Sequence, residues 1–103
     1  MNIISRPAIR RAQQAHPDAA EWLENWWQVA KAAQWQNLQD VRVPYPATDQ
    51  VGRCLVFNVR GNTYRFIVGV RYATSDHGGT LFVKHFLTHA EYNKEAWKRE
   101  CER

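Results

Sequence analysis

The sequence predicts an α+β domain, with two N-terminal helices packed on a mainly antiparallel sheet and a C-terminal helix. Three observations predict it. The first third places apolar residues at helical spacing. The middle holds β-rich runs that alternate in polarity and are separated by short turns. Helices precede strands rather than alternating with them, which is the order of an α+β layer fold.

Each element has its own signal. Met1–Ile4 reads as a short edge strand. Ser5 can cap a first helix with Pro7 in its opening turn, where a missing N–H does no harm, and with Ile9 and Ala12 on its apolar side. His16-Pro17 breaks that helix. Asp18 is expected to open a second, whose stripe is Ala19, Trp22/Leu23, Trp26, Val29/Ala30 and Ala33. Asn37–Val43 reads as one helical turn, and Pro44-Tyr45-Pro46 excludes regular helix. Cys54–Val59 and Asn62–Tyr72, split by Arg60-Gly61, form a hairpin. Thr80–Leu87 is a third strand. Thr88-His89-Ala90-Glu91 fits a capping box that starts a last helix running to about Arg99.

The chain has 103 residues, room for one domain over residues 1–103. Hydrophobic residues at 45% and charged residues at 23% fit a soluble globular chain. No apolar run is long enough to span a bilayer. Met1–Pro7 lacks the apolar core of a signal peptide, so a cytoplasmic location is expected. Cys54 and Cys101 are expected to be two reduced cysteines, and no Cys/His cluster has zinc spacing.

The net charge of +4 is unevenly placed. Residues 1–51 sum to zero, whereas residues 53–89 carry Arg53, Arg60, Arg65, Arg71 and Lys84 against Asp76 alone. A local basic excess suggests a polyanionic partner.

Alternation along the strands says which residues share a face. With Val59 opposite Asn62, the apolar face is Leu55, Phe57, Val59, Tyr64, Phe66, Val68 and Val70, directed at Trp22 and Trp26. The third strand is expected to add Leu81, Val83, His85 and Leu87 to it, because the alternative buries Lys84. The open face then shows Asn58, Arg65, Arg71 and Lys84, with Phe82 and Phe86 between the cations. Cations interleaved with rings suit single-stranded nucleic acid, whether bound by an enzyme or by a non-catalytic RNA- or ribosome-binding module. His89 and Tyr92 open the helix leaving this sheet and are candidates for proton transfer or base stacking. Carboxylates are scarce on the face, so a magnesium-dependent nuclease is not expected and no cofactor is implied. Trp27 and Trp35 lie off the core stripe and are candidate interface residues.

The pattern F-N-V-x-G-N-x-x-R (Phe57 to Arg65), followed by K-x-x-x-T-H-x-E-Y (Lys84 to Tyr92), resembles the HigB toxin family of type II toxin–antitoxin systems, part of the RelE-like group. The resemblance runs over nearly the whole chain. It implies a RelE-like fold and a ribosome-dependent mRNA endonuclease that works without metal, by attack of a 2′-OH on the adjacent phosphate in the A site. By position, it implies Arg65 and Lys84 as phosphate-stabilising residues and His89 and Tyr92 as groups handling protons or stacking a base. Asn58, Arg60, Asn62, Arg71, Phe82 and Phe86 would contact RNA. The implied partners are mRNA on the 70S ribosome and a HigA-type helix-turn-helix antitoxin, through which the complex would bind operator DNA. At Arg60 a smaller residue is expected, often Gly, and the arginine adds a cation at the rim.

Overall fold

Ser5 Oγ accepts a hydrogen bond from the Ala8 N–H at 3.3 Å in the computed structural model, which describes residues 1–102. That bond caps helix α1 (Arg6–Ala15), which has Pro7 in its first turn and buries Ile9. The chain breaks at His16-Pro17 as expected. Asp18 does not open the second helix directly, because a 3₁₀ turn, Pro17–Ala19, comes first and α2 spans Ala20–Ala32. The Asp18 carboxylate is engaged elsewhere. It accepts the Tyr64 hydroxyl at 2.9 and 3.1 Å and lies 3.7 Å from Arg60. Helix α2 buries Leu23, Trp26 and Ala30. Asn37 caps the short α3 (Leu38–Arg42) through the Asp40 N–H at 3.0 Å.

The sheet comprises β1 (Asn2–Ile4), β2 (Asp49–Val51), β3 (Cys54–Val59), β4 (Tyr64–Arg71) and β5 (Thr80–Thr88). Their spatial order is β1-β5-β4-β3-β2, with β1–β5 parallel and the other pairs antiparallel. Strand β2 is an addition to the expected set. Its three residues are too short to show alternation, and it turns at Gly52 onto β3. Gly52 has φ +56°, and a Cβ there would overlap the Cys101 carbonyl, so this turn requires glycine.

The hairpin register lies two residues from the expected one. Val59 pairs with Tyr64 rather than Asn62, and Phe57 with Phe66, because both Arg60 (φ 51°) and Gly61 (φ 63°) are left-handed within a longer loop. A two-residue offset leaves every side chain on its face. Leu55, Phe57, Val59, Tyr64, Phe66 and Val68 are therefore buried beneath the helices as expected. Trp26 meets Phe66 edge-on at 4.8 Å and Phe57 at 5.7 Å, a geometry that suits the ring quadrupoles.

The third strand departs from expectation at one residue. Ile67 pairs with His85 but Val68 pairs with Val83, so Lys84 is the extra residue of a β-bulge. A bulge shifts the alternation beyond it. Leu81 and Val83 face the helices as expected, but past Lys84 it is Phe86 that does so, not His85 and Leu87. Phe86 packs on His16 at 5.2 Å, Tyr64 at 4.9 Å and Phe66 at 5.9 Å. It does not lie on the open face.

That face is not open at its centre. The expected last helix splits into α4 (His89–Asn93) and a 3₁₀ turn, Ala96–Glu100. Glu95, one of the two residues between them, has φ 62°, and there the chain turns back over the sheet. Trp97, 3% exposed, packs there with Val56, Ile67, Cys54 and Cys101 in a second small core. The two cysteines, expected to be free, form a disulfide, their Cα atoms 5.2 Å apart. Their 47-residue separation gave no local sign of it. Trp35, a candidate interface residue, is 4% exposed and belongs to the main core. Trp27 is half-buried, with Arg6 at 4.7 Å and Lys31 at 5.6 Å from its ring. Among the described residues, no helix is long and apolar enough to cross a membrane.

Candidate active site

Arg65 follows Tyr64 and precedes Phe66, both of which face the helices, so alternation sends its side chain to the opposite face. Its guanidinium runs back toward the hairpin turn. Nη2 donates to Asn62 Oδ1 at 2.9 Å, and Nη1 donates to the Tyr64 carbonyl at 3.2 Å. The guanidinium carbon lies 5.3 Å from the Tyr92 ring centroid, within cation–π range. Asn58 is exposed directly across the hairpin from Arg65.

Tyr92 is held from behind. Its ring stacks on Trp97 with centroids 5.0 Å apart and planes 13° apart, and Trp97 Nε1 donates to the Tyr92 carbonyl at 3.0 Å. Helix α4 is fixed at its start by a complete capping box. The Thr88 N–H donates to Glu91 Oε1 at 2.9 Å, and the Glu91 N–H donates to Thr88 Oγ1 at 3.2 Å. These bonds, the backbone N–H first, hold the Glu91 carboxyl below its ordinary range. The His89 N–H donates to the Thr63 carbonyl at 3.2 Å, which ties this exposed histidine to the loop that carries Asn62.

One end of the sheet thus gathers Asn58, Asn62, Arg65, His89 and Tyr92. The acceptors of Arg65 are neutral, and among the described residues it makes no ion pair. Its full charge and remaining donors are available to an anion, and a planar fork beside a ring suits a phosphate next to a base.

The other expected contacts lie elsewhere. Arg60 turns toward the helices and donates to the Asp18 backbone carbonyl at 3.3 Å besides its ion pair. Phe86 is on the helix side. Arg71, Phe82 and Lys84 line a groove of about 370 Å³ at the far end of the sheet, together with Arg53 and Gly69. Gly69 is four residues along β4 from Arg65, about 13 Å at strand rise. Between the two ends stands the ridge of Trp97, Cys101 and the His85–Glu100 hydrogen bond at 2.8 Å. His85, expected in the core, is therefore a partner of the C-terminal turn.

One residue that shapes the site carried no sequence signal for it. Trp97 read as one more residue of a continuous helix, and only the reversal at Glu95 brings it behind Tyr92. Arg53 precedes the strand and enters the groove because Val70 N–H donates to its carbonyl at 2.8 Å.

Residues 19–95 match the model of the HigB_toxin family, described as the RelE-like toxic component of a toxin–antitoxin system. The chain is also 28% identical over 97 residues to a protein named mRNA interferase HigB from Escherichia coli O6:H1 strain CFT073. That alignment covers 91% of this chain and 90% of the relative.

Proposed function

The chain belongs to the HigB toxin family, RelE-like toxic components of toxin–antitoxin systems, and from that membership we infer that it is an mRNA interferase, an endoribonuclease that stops translation by cutting messages. An antitoxin is its partner and mRNA its target. We propose further that cutting takes place in the A site of the ribosome, in the cytoplasm, without a metal ion, and that the antitoxin is a HigA-type helix-turn-helix protein through which the complex binds operator DNA.

The observation that carries the reading is Arg65, an un-neutralised guanidinium held by Asn62 against the face of Tyr92. In the proposed step the 2′-oxygen attacks the adjacent phosphorus and the bond to the 5′-oxygen breaks. The 2′-OH proton goes to a base, and the departing 5′-oxygen takes up a proton. The products are a 2′,3′-cyclic phosphate and a free 5′-OH. Arg65 stabilises the extra charge on the phosphate oxygens. His89 and Tyr92 move the protons or stack the flanking base. Asn62 holds Arg65, and Asn58 lies across the hairpin from it. The side chains that touch Arg65 are an amide and a phenol, and neither is a carboxylate of the kind that holds magnesium.

The test is induction in a bacterial host with mapping of 5′ ends on matched translated and untranslated messages, followed by cleavage on purified ribosomes of a message with a phosphorothioate at the scissile phosphate, with and without a thiophilic metal ion. New 5′-OH ends on the translated message alone, with no rescue of the phosphorothioate by the thiophilic ion, are expected. Cleavage of untranslated RNA would overturn ribosome dependence, and rescue by the thiophilic ion would overturn the metal-free step.

A further inference from the structure

The basic excess of residues 53–89 is divided by the fold. Arg60 is neutralised by Asp18, and Arg65 belongs to the site described above. The remaining cations of that segment, Arg53, Arg71 and Lys84, converge on the groove at the opposite end of the face. All three are exposed, and none makes an ion pair among the described residues. One carboxylate, Glu100, stands in the groove wall, hydrogen-bonded to His85 at 2.8 Å, so the groove holds three cations against one anion. The excess cations repel one another, and an incoming polyanion relieves that repulsion.

The groove is also shaped for more than a small ion. Gly69 forms its floor. A Cβ there would sit 3.3 Å from Lys84 Cε and 3.5 Å from Phe82 Cβ, so the glycine keeps the floor open. The bulge turns Lys84 into the groove, its Nζ 5.9 Å from the half-buried Phe82 ring. Cations around an aromatic wall match a sugar–phosphate strand.

We propose that Arg53, Arg71 and Lys84 form a second RNA-binding site, separate from the Arg65 site, which holds the phosphate backbone of a single strand and does no chemistry. The groove assigns Lys84 to binding rather than to the reacting phosphate. The proposal rests on the reading of this chain as an RNA-cutting enzyme.

The experiment compares Arg53→Gln/Arg71→Gln with Arg10→Gln/Arg11→Gln, a pair on α1 that removes the same charge outside the groove. A fluorescein-labelled, 2′-O-methylated single-stranded RNA is titrated against each protein at several salt concentrations. Loss of two phosphate contacts lowers the slope of log affinity against log salt by about 1.4. The fall in affinity between about 50 and 200 mM salt then becomes about sevenfold smaller than in the wild type. The α1 pair is expected to keep the wild-type slope. Cleavage by Arg65→Ala on programmed ribosomes is the separate arm that tests the active site, and it is expected to be lost. A groove variant with the wild-type slope overturns the proposal, and so does one that keeps its RNA slope while losing the antitoxin, which would make the groove a protein-docking surface. A normal cleavage rate from Arg65→Ala would overturn the active-site reading and leave the groove result standing.

Discussion

Arg65 places its guanidinium carbon 5.3 Å from the centroid of the Tyr92 ring, joining the start of the central strand, β4, to helix α4. The relationship depends on Trp97, on whose ring Tyr92 is stacked. Trp97→Ala removes that support and empties part of the second core. A loss of about 3–5 kcal/mol of stability is expected, with cleavage by the remaining folded protein falling on the order of 10²-fold from misplacement of Tyr92. Trp97→Phe retains a stacking ring and is expected to keep most of the activity. Equal single-turnover rates for the two variants would show that Tyr92 does not need its neighbour.

The disulfide fastens the same segment. Cys54 and Cys101 close a loop of 47 residues, for which the chain-entropy model gives a stabilisation of about 4 kcal/mol. A reducing compartment opposes such a bond, so denaturation is measured with and without dithiothreitol. The oxidised protein is expected to show no reactive thiol and a higher urea midpoint. Two titratable thiols in the native, unreduced protein would contradict the disulfide.

The capping box gives a pH dependence of known sign. Hydrogen bonds from Thr88 hold the Glu91 carboxyl below its ordinary value of 4.5. A group whose folded pKa is depressed contributes its stability in full above the unfolded value and loses it as pH falls through the folded one. The stability difference between wild type and Glu91→Ala is therefore expected to be constant through neutral pH and to shrink below about 4.5. Thr88→Ala, which removes the cap hydroxyl, is expected to cost about 1 kcal/mol. A Glu91→Ala difference that grows on acidification would contradict the box.

Phe86 distinguishes the two possible faces of β5. Because the bulge at Lys84 turns it toward His16, Tyr64 and Phe66, Phe86→Ala is expected to cost about 2–3 kcal/mol of stability. Its affinity for single-stranded RNA is expected to stay at the wild-type level. A stable variant with weakened RNA binding would return Phe86 to the open face.

Much of this was legible in the residues. Ser5, the His16-Pro17 break, the α2 stripe and the Thr88–Glu91 box are local signals, and local bonds satisfy them. The hairpin faces survived an error in register because the error was two residues, and side-chain direction repeats every two. What escaped the sequence is tertiary. No residue type announces that Lys84 is the unpaired residue of a bulge, yet that one residue exchanges Phe86 for His85 and Leu87. Nothing near Glu95 in the sequence says that the chain reverses there, yet that turn covers the sheet face, brings Cys101 to Cys54 and props Tyr92. The site residues Asn58, Asn62, Arg65, His89 and Tyr92 come together because their motifs flank one hairpin end. Lys84 shares the second motif, but it sits at the mid-strand bulge and its side chain reaches the Gly69 groove instead.

The claim that Arg65 acts on the scissile phosphate is tested most directly by single-turnover cleavage of a message on programmed ribosomes with Arg65→Ala and Arg65→Lys. Removal of one donor to a developing oxyanion costs on the order of 10²–10³-fold in rate, so Arg65→Ala is expected to lose that much while still associating with the ribosome. Arg65→Lys is expected to recover only part of it, because a single ammonium lacks the planar fork. Cleavage by Arg65→Ala at the wild-type rate would contradict the account.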